Sequence, residues 1–455
     1  MFAILPLVKP PHPSASPQVD AGPEAGGASV LGVRALISAL GVPGCLLIFA
    51  MLLLRPNLFG QVFAPVGLVL AVAAAGIELW RRRTHPVSGP PLRILYLVPV
   101  CLALADAWRL ARYYVTAPEL IRTAAQNLAI TGGTLIAVIV VCRNVQLRLA
   151  LGRAFVLIVA LLSASYVVTA LIWAVAGVGS GAYGVFVVPG GLGPQTLYFP
   201  VTITSASHPL FGLDLPRFCG LGREPGWMAM YCAAAYFMSG LVGVRSRVLK
   251  VALFAGMAGS LSTAGFAVFI IAWVYDVFFR ARPGASSVSS LLRRGVGLAA
   301  FAAAIWAAVY APILGLSEKG ARDVSSVYDR QAQTETGLQA LYENPFWGSG
   351  PSARLTGINL ISEISNGLAF PLLMALALLL PAVLQGRARQ GHGVILVLFL
   401  TLLTSQAPWA STWVYVLAVF SYACRDLTRV RGEQVNAGLM HSPPVSAARA
   451  PGGRE

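Results

Sequence analysis

The sequence predicts an all-α polytopic membrane protein, and three observations carry that expectation. Of 455 residues 57% are hydrophobic and only 11% charged, where soluble domains carry about a quarter charged residues. Apolar runs near the length needed to cross a hydrocarbon core of about 30 Å recur along the chain. Arginines gather in the short segments between those runs, the pattern that membrane insertion imposes on cytoplasmic loops.

Taken in order, the apolar runs cover 31–54, 62–80, 92–108, 124–142, 154–176, 227–244, 251–279, 296–314, 358–384, 394–403 and 413–424. Residues 1–30, rich in Pro, Ser and Gly, read as a disordered cytoplasmic tail, and so do residues 425–455. The basic clusters at Arg81 to Arg83 with Arg93, at Arg143, Arg148 and Arg153, at Arg245, Arg247 and Lys250, at Arg280, Arg282, Arg293 and Arg294, at Arg387 and Arg389, and at Arg425, Arg429 and Arg431 are all placed in the cytoplasm. The clusters at 245 and 280 share a side only if 251–279 crosses twice, turning near Ser260-Leu-Ser-Thr-Ala-Gly265. That brings the count to about twelve crossings with both termini cytoplasmic. The domain therefore spans 31–424, with two long outward loops at 177–223 and 315–357. The first contains candidate extended stretches at 185–188 and 201–203, the second two short helices at 325–333 and 335–342.

The formal charge of +16 is explained by those basic loops, and no basic face with interleaved aromatics suggests nucleic acid. The six cysteines are scattered without a C-x-x-C pair and read as small apolar fillers. The five histidines show no ligand spacing, so no metal is expected. Neither a phosphate-cradling loop ending in Lys-Ser/Thr nor a G-x-S-x-G elbow occurs. Any reaction must then draw its energy from an activated substrate, with no cofactor.

Against the positive-inside trend, Arg109, Arg112, Arg122, Arg217, Arg223, Lys319, Arg322, Arg330 and Arg354 fall on the outward side. Guanidinium groups bind phosphate oxygens bidentately and keep their charge when partly desolvated, which suits a pyrophosphate. The competing reading pairs them with Asp214, Glu224, Glu318, Asp323, Asp329, Glu335 and Glu343 in the same loops. Within Arg217-Phe-Cys-Gly-Leu-Gly-Arg-Glu-Pro-Gly226, Glu224 and Pro225 open an apolar helix, an arrangement that the helix dipole and the missing proline N–H both favour. Glu224 reads either as a general base for a hydroxyl or as a group that orients Arg217 or Arg223 or caps its helix. Glu363, near Ser362 and Asn366, invites the same pair of readings. Asp106 and Asp276 read as interfacial, and Glu78 as a local partner of Arg81 and Arg82.

Three stretches resemble the O-antigen polymerase and O-antigen ligase superfamily. Arg217-x-x-Gly220-x-x-x-Glu224-Pro225-Gly226 is similar to its arginine-to-EPG segment, Leu261-Ser-Thr-Ala-Gly265 to its Ser/Thr-Gly helix, and Glu343-Asn-Pro-Phe-Trp-Gly-Ser-Gly350 to its N-P-x-x-G-x-G signature. The likeness covers 154–384. It implies a GT-C-like, metal-independent, inverting membrane glycosyltransferase of O-antigen or exopolysaccharide biosynthesis, in the bacterial inner membrane. The implied substrate is an undecaprenyl-pyrophosphate-linked oligosaccharide, and implied partners are the bilayer, a chain-length regulator and a flippase. By the same resemblance Arg217 and Arg330 join Glu224 as catalytic candidates, and Arg223, Arg322, Arg354, Asn344, Gly348, Gly350 and Glu363 are candidates for binding pyrophosphate or glycan. The ligase branch carries a His where this chain has Thr356, although Leu360 and Gly367 fit its frame; that departure favours a repeat-unit polymerase over a ligase. A transporter or lipid-linked oligosaccharide flippase is the alternative of another class, against which stands the lack of visibly duplicated halves.

Overall fold

Apolar runs and polar caps account for most of the helices in a computed structural model that describes residues 30–84, 92–188, 193–210, 213–279, 287–310, 324–349, 359–384, 392–404, 407 and 411–424. The helices are α1 (Val30–Leu52), α2 (Gly60–Thr84), α3 (Leu97–Thr116), α4 (Ile121–Cys142), α5 (Val145–Ala176), α6 (Pro225–Leu241), α7 (Arg247–Gly259), α8 (Thr263–Val274), α9 (Ser287–Tyr310), α10 (Val324–Glu343), α11 (Ala369–Leu384), α12 (His392–Thr404) and α13 (Thr412–Cys424). Five stretches, Arg34–Leu52, Val62–Arg83, Arg93–Val115, Pro118–Cys142 and Val145–Ala176, are long and apolar enough to cross a membrane. Shorter apolar helices follow, and the chain is a predominantly helical membrane protein. At the centre lies α6, buried without a break from Trp227 to Ala235, beside an equally buried α13. A helix apolar on every side must be enclosed by others.

The 251–279 run is two helices. Ser260, with its hydroxyl on the Met257 carbonyl, ends α7; Leu261 takes a left-handed φ of 48°; Ser262 then caps α8 by accepting from the Gly265 N–H at 3.2 Å. Gly265 is small for a second reason, since a Cβ there would lie 2.3 Å from Ala229 of α6. The chain doubles back. Near the end of α8, Tyr275 meets His392 at 3.4 Å, and Gly393 abuts Phe237 near the end of α6, where Arg153 also bonds the Val242 carbonyl at 3.0 Å. This is the arginine end of the bundle; the turn at 260–262 meets a β-sheet instead.

That sheet departs from the all-α expectation. Residues 177–223 build an antiparallel meander of β1 (Ala182–Val187), β2 (Pro194–Tyr198), β3 (Thr202–Leu210) and β4 (Leu213–Phe218). It is fixed to α5 by Thr169, which donates to the Phe199 carbonyl at 2.7 Å, by Ser165 and Thr202 at 2.9 Å, and by Trp173 edge-on to Tyr198. Other expectations also shift. The two helices placed at 325–333 and 335–342 are one, α10, because nothing at Thr334 breaks it. The 358–384 run becomes helical only at Ala369, after a 3₁₀ turn (Ser362–Asn366) stopped by Gly367 at φ 92°. Asp106 is not interfacial but buried. Arg148 lies in the first turn of α5, where it is fully buried. The Glu78 pairing holds, with Arg82 Nε at 3.3 Å. The tails, residues 311–323 and residues 350–358 lie outside the described residues.

Candidate functional site: a cationic mouth above an apolar groove

Arg223 and Glu224 sit where the sheet hands the chain to α6. Glu224 occupies the position before Pro225 in extended conformation, with no side-chain cap bond to its helix. Its carboxylate lies 3.3 Å from Arg223 Nη2 instead, both side chains being about a fifth exposed. The backbone here is pinned to the α1–α2 link: Leu58 N–H donates to the Leu221 carbonyl at 2.8 Å and Arg223 N–H to the Pro56 carbonyl at 3.2 Å. Asn57 pairs with Gly222 and accepts from the Tyr231 hydroxyl at 2.6 Å. This ladder places Arg55 beside Arg223, and the ionisation of Arg55 is depressed by burial and then by that second guanidinium. Two arginines thus sit side by side, and one of them pairs with Glu224. Arg223 Nε, buried, has no hydrogen-bond partner among the described residues.

Directly behind the ladder, α1, α5, α6 and α13 line a narrow apolar groove. Met51, Leu151, Phe155 and Trp413 line it, and Asn57 and Leu221 close the end that carries the arginines. Chemically the arrangement offers guanidinium groups to an anion beside an apolar groove.

Arg217 does something different. On β4, opposite Ser205, it donates through Nε to the Ser260 carbonyl at 3.3 Å and through Nη2 to the Leu261 carbonyl at 3.5 Å. A cation on the last carbonyls of a helix offsets its negative end. Arg217 therefore ties the sheet to the α7–α8 turn.

A second charged group is assembled by α3, α11 and the 3₁₀ turn. Asp106 and Arg109 form a buried ion pair at 2.6 Å, with the guanidinium 5.3 Å from the ring centre of Phe370. Glu363 is 2% exposed and accepts from Asn366 Nδ2 at 2.9 Å, while its Oε1 has no partner among the described residues. Burial pushes its carboxyl up to about 7, against a downward pull from Arg109. The turn is held by the signature segment: Trp347 stacks on Trp108 at 5.3 Å, Trp108 Nε1 donates to the Asn366 carbonyl at 2.9 Å, and Leu368 N–H to the Pro345 carbonyl at 2.8 Å. Gly348, at φ 68°, lies so close to this turn that a Cβ would sit 2.0 Å from the Ser365 carbonyl. It is a packing glycine; Asn344 is exposed.

The raised carboxyl has a consequence for pH. Below its ordinary value of 4.5 Glu363 is protonated in both folded and unfolded chains. Between 4.5 and about 7 only the folded chain holds the proton, so stability from this group is full at low pH and is lost as pH rises through 7. Protection of the 359–368 amides from hydrogen exchange is expected to fall over that window, and Glu363→Gln to flatten the fall. Equal slopes in the two proteins would rule the assignment out.

Of the residues singled out by sequence, Arg223 and Glu224 meet at the mouth, Arg217 is adjacent in chain but committed to the turn at 260–261, and Glu363 belongs to the second group. Arg330 lies on α10, its side chain outside the described residues, as are Arg322, Arg354 and Gly350. Sequence reasoning missed Arg55 and the Asp106–Arg109 pair. The signal for Arg55 was present, an arginine in a short outward link between two apolar runs. Compared with known protein families, curated proteins and solved structures, the chain shows no significant match.

Proposed function

We propose that the chain is an inverting glycosyltransferase that elongates a lipid-diphosphate-linked glycan, a polysaccharide polymerase working at the outer face of a bacterial inner membrane. The observation that carries the reading is the pair Arg55 and Arg223 beside the mouth of an apolar groove, cations for a diphosphate head next to an apolar surface for its lipid. In this reaction an acceptor hydroxyl attacks the anomeric carbon of the donor. The new C–O bond forms as the bond to the diphosphate breaks; the diphosphate leaves with the electron pair, its charge met by the arginines. The hydroxyl proton passes to Glu224. With α7 and α8 counted as two short crossings, about twelve helices cross the membrane in a GT-C-like arrangement, and both termini are cytoplasmic. Arg330, Arg322 and Arg354 are placed with the donor by resemblance alone.

Purified protein in liposomes, given a lipid-linked repeat unit, is expected to produce a ladder of glycan lengths on a gel. Addition of a single glycan to a different acceptor would make it a ligase instead. Movement of the substrate across the bilayer with no new glycosidic bond would make it a flippase and overturn the proposal.

A further inference from the structure

The sheet buries Tyr198 and Phe218 but leaves a larger apolar face uncovered. Its buried positions include Gln195, Thr202 and Thr204, while Tyr183, Val185, Val187, Phe199 and Val201 are exposed. Soluble sheets bury the apolar face and guard an open edge with charge. Here β1 is an edge of the sheet with no further strand beside it among the described residues, and no Asp, Glu, Lys or Arg occurs anywhere from 154 to 213. The exposed apolar surface also continues into α5, where Leu161, Val168, Leu171 and Val175 form an outward stripe.

Two internal rulers give the depth of the sheet. Along α5, at 1.5 Å per residue, Ser165 lies about 18 Å and Trp173 about 30 Å from Arg153 at the arginine end. A hydrocarbon core is about 30 Å thick, so Thr202 and Tyr198, which contact Ser165 and Trp173, lie at or inside its outer boundary. Along α7, the carbonyl of Ser260 that receives Arg217 is only about 20 Å from the same end. Both rulers sink the sheet into the membrane rather than above it.

We infer that the β-meander is a bilayer-interface element whose outward face, Tyr183, Val185, Val187, Phe199 and Val201, rests against lipid at the outer boundary of the membrane. The unpaired backbone edge of β1 limits its depth, because such groups are not tolerated in hydrocarbon; the edge lies in the hydrated headgroup layer with the side chains dipping inward. This placement does not depend on the proposed reaction.

The test is a nitroxide label at Val185→Cys on a Cys45→Ser background, in liposomes, since the other five cysteines are buried. The expected ratio of oxygen to nickel-chelate collisions is above unity at 185, as at Leu171→Cys on the lipid-facing stripe, and below unity at Tyr328→Cys on α10. A ratio below unity at 185 overturns the proposal. So does spin–spin broadening between copies with little access to either reagent, which would mean that a second copy covers the face. Val187→Cys reads the same face if the first variant does not fold.

Discussion

Arg223→Ala is expected to lower glycan elongation by about two to three orders of magnitude, the usual loss when one donor to a developing oxyanion is removed, while leaving the protein folded. The fold is spared because the position is held by its backbone, from the N–H to Pro56 and from the carbonyl to Gln195. What disappears is one of two neighbouring guanidiniums, the one that pairs with Glu224. Two cations held close by the chain repel each other, and the proposed diphosphate would relieve that repulsion. The loss should therefore appear in both turnover and donor affinity. Lysine at 223 should recover only part of the activity, since an ammonium cannot make the forked contact. Glu224→Gln separates the two roles of its neighbour. If the carboxylate takes the acceptor's proton, the amide costs as much as Arg223→Ala; if it only orients Arg223, the cost is small and pH-independent. Retention of full elongation by Arg223→Ala would remove the mouth from the mechanism.

The long helices were legible because hydropathy and arginine placement are strong signals over twenty residues, and the doubling back of 251–279 followed from charge parity before any coordinates. The sheet was not legible as a sheet. Alternation is normally read as apolar-in and polar-out, and Val201-Thr-Ile-Thr-Ser205 runs with its threonines inward, where their hydroxyls tie the sheet to α5. The site was half legible. Glu224 and Pro225 announced themselves by their place at a helix start, whereas the hold of Arg217 on the carbonyls of Ser260 and Leu261 did not. Sequence spacing could not reveal that, because the partners are more than forty residues away and are backbone atoms. The signature glycine at 348 likewise marks a close approach of two backbone segments, which a motif reading does not reveal.

Asp106→Ala is expected to cost about 3–5 kcal/mol of stability, the range for removing one partner of a buried ion pair, far more than a surface carboxylate would. The pair is buried on both sides at 2.6 Å, and the guanidinium is enclosed by the rings of Phe370 and Tyr113. Alanine leaves that cation in the same low-dielectric setting with its close carboxylate gone. Glu363 is the nearest replacement, already drawn toward its charged form by Arg109. The variant should therefore shift the Glu363 titration downward as well as lower the midpoint of heat-induced loss of monodisperse protein in detergent. The double change Asp106→Leu with Arg109→Met removes both charges at similar volume and is expected to recover most of the loss, because desolvating two ions costs nearly what their attraction returns. The ordering matters more than either value: the single variant must be the less stable of the two. If the double variant is as unstable as the single one, the cost lies in packing between α3 and α11, and the ion pair is not what holds them.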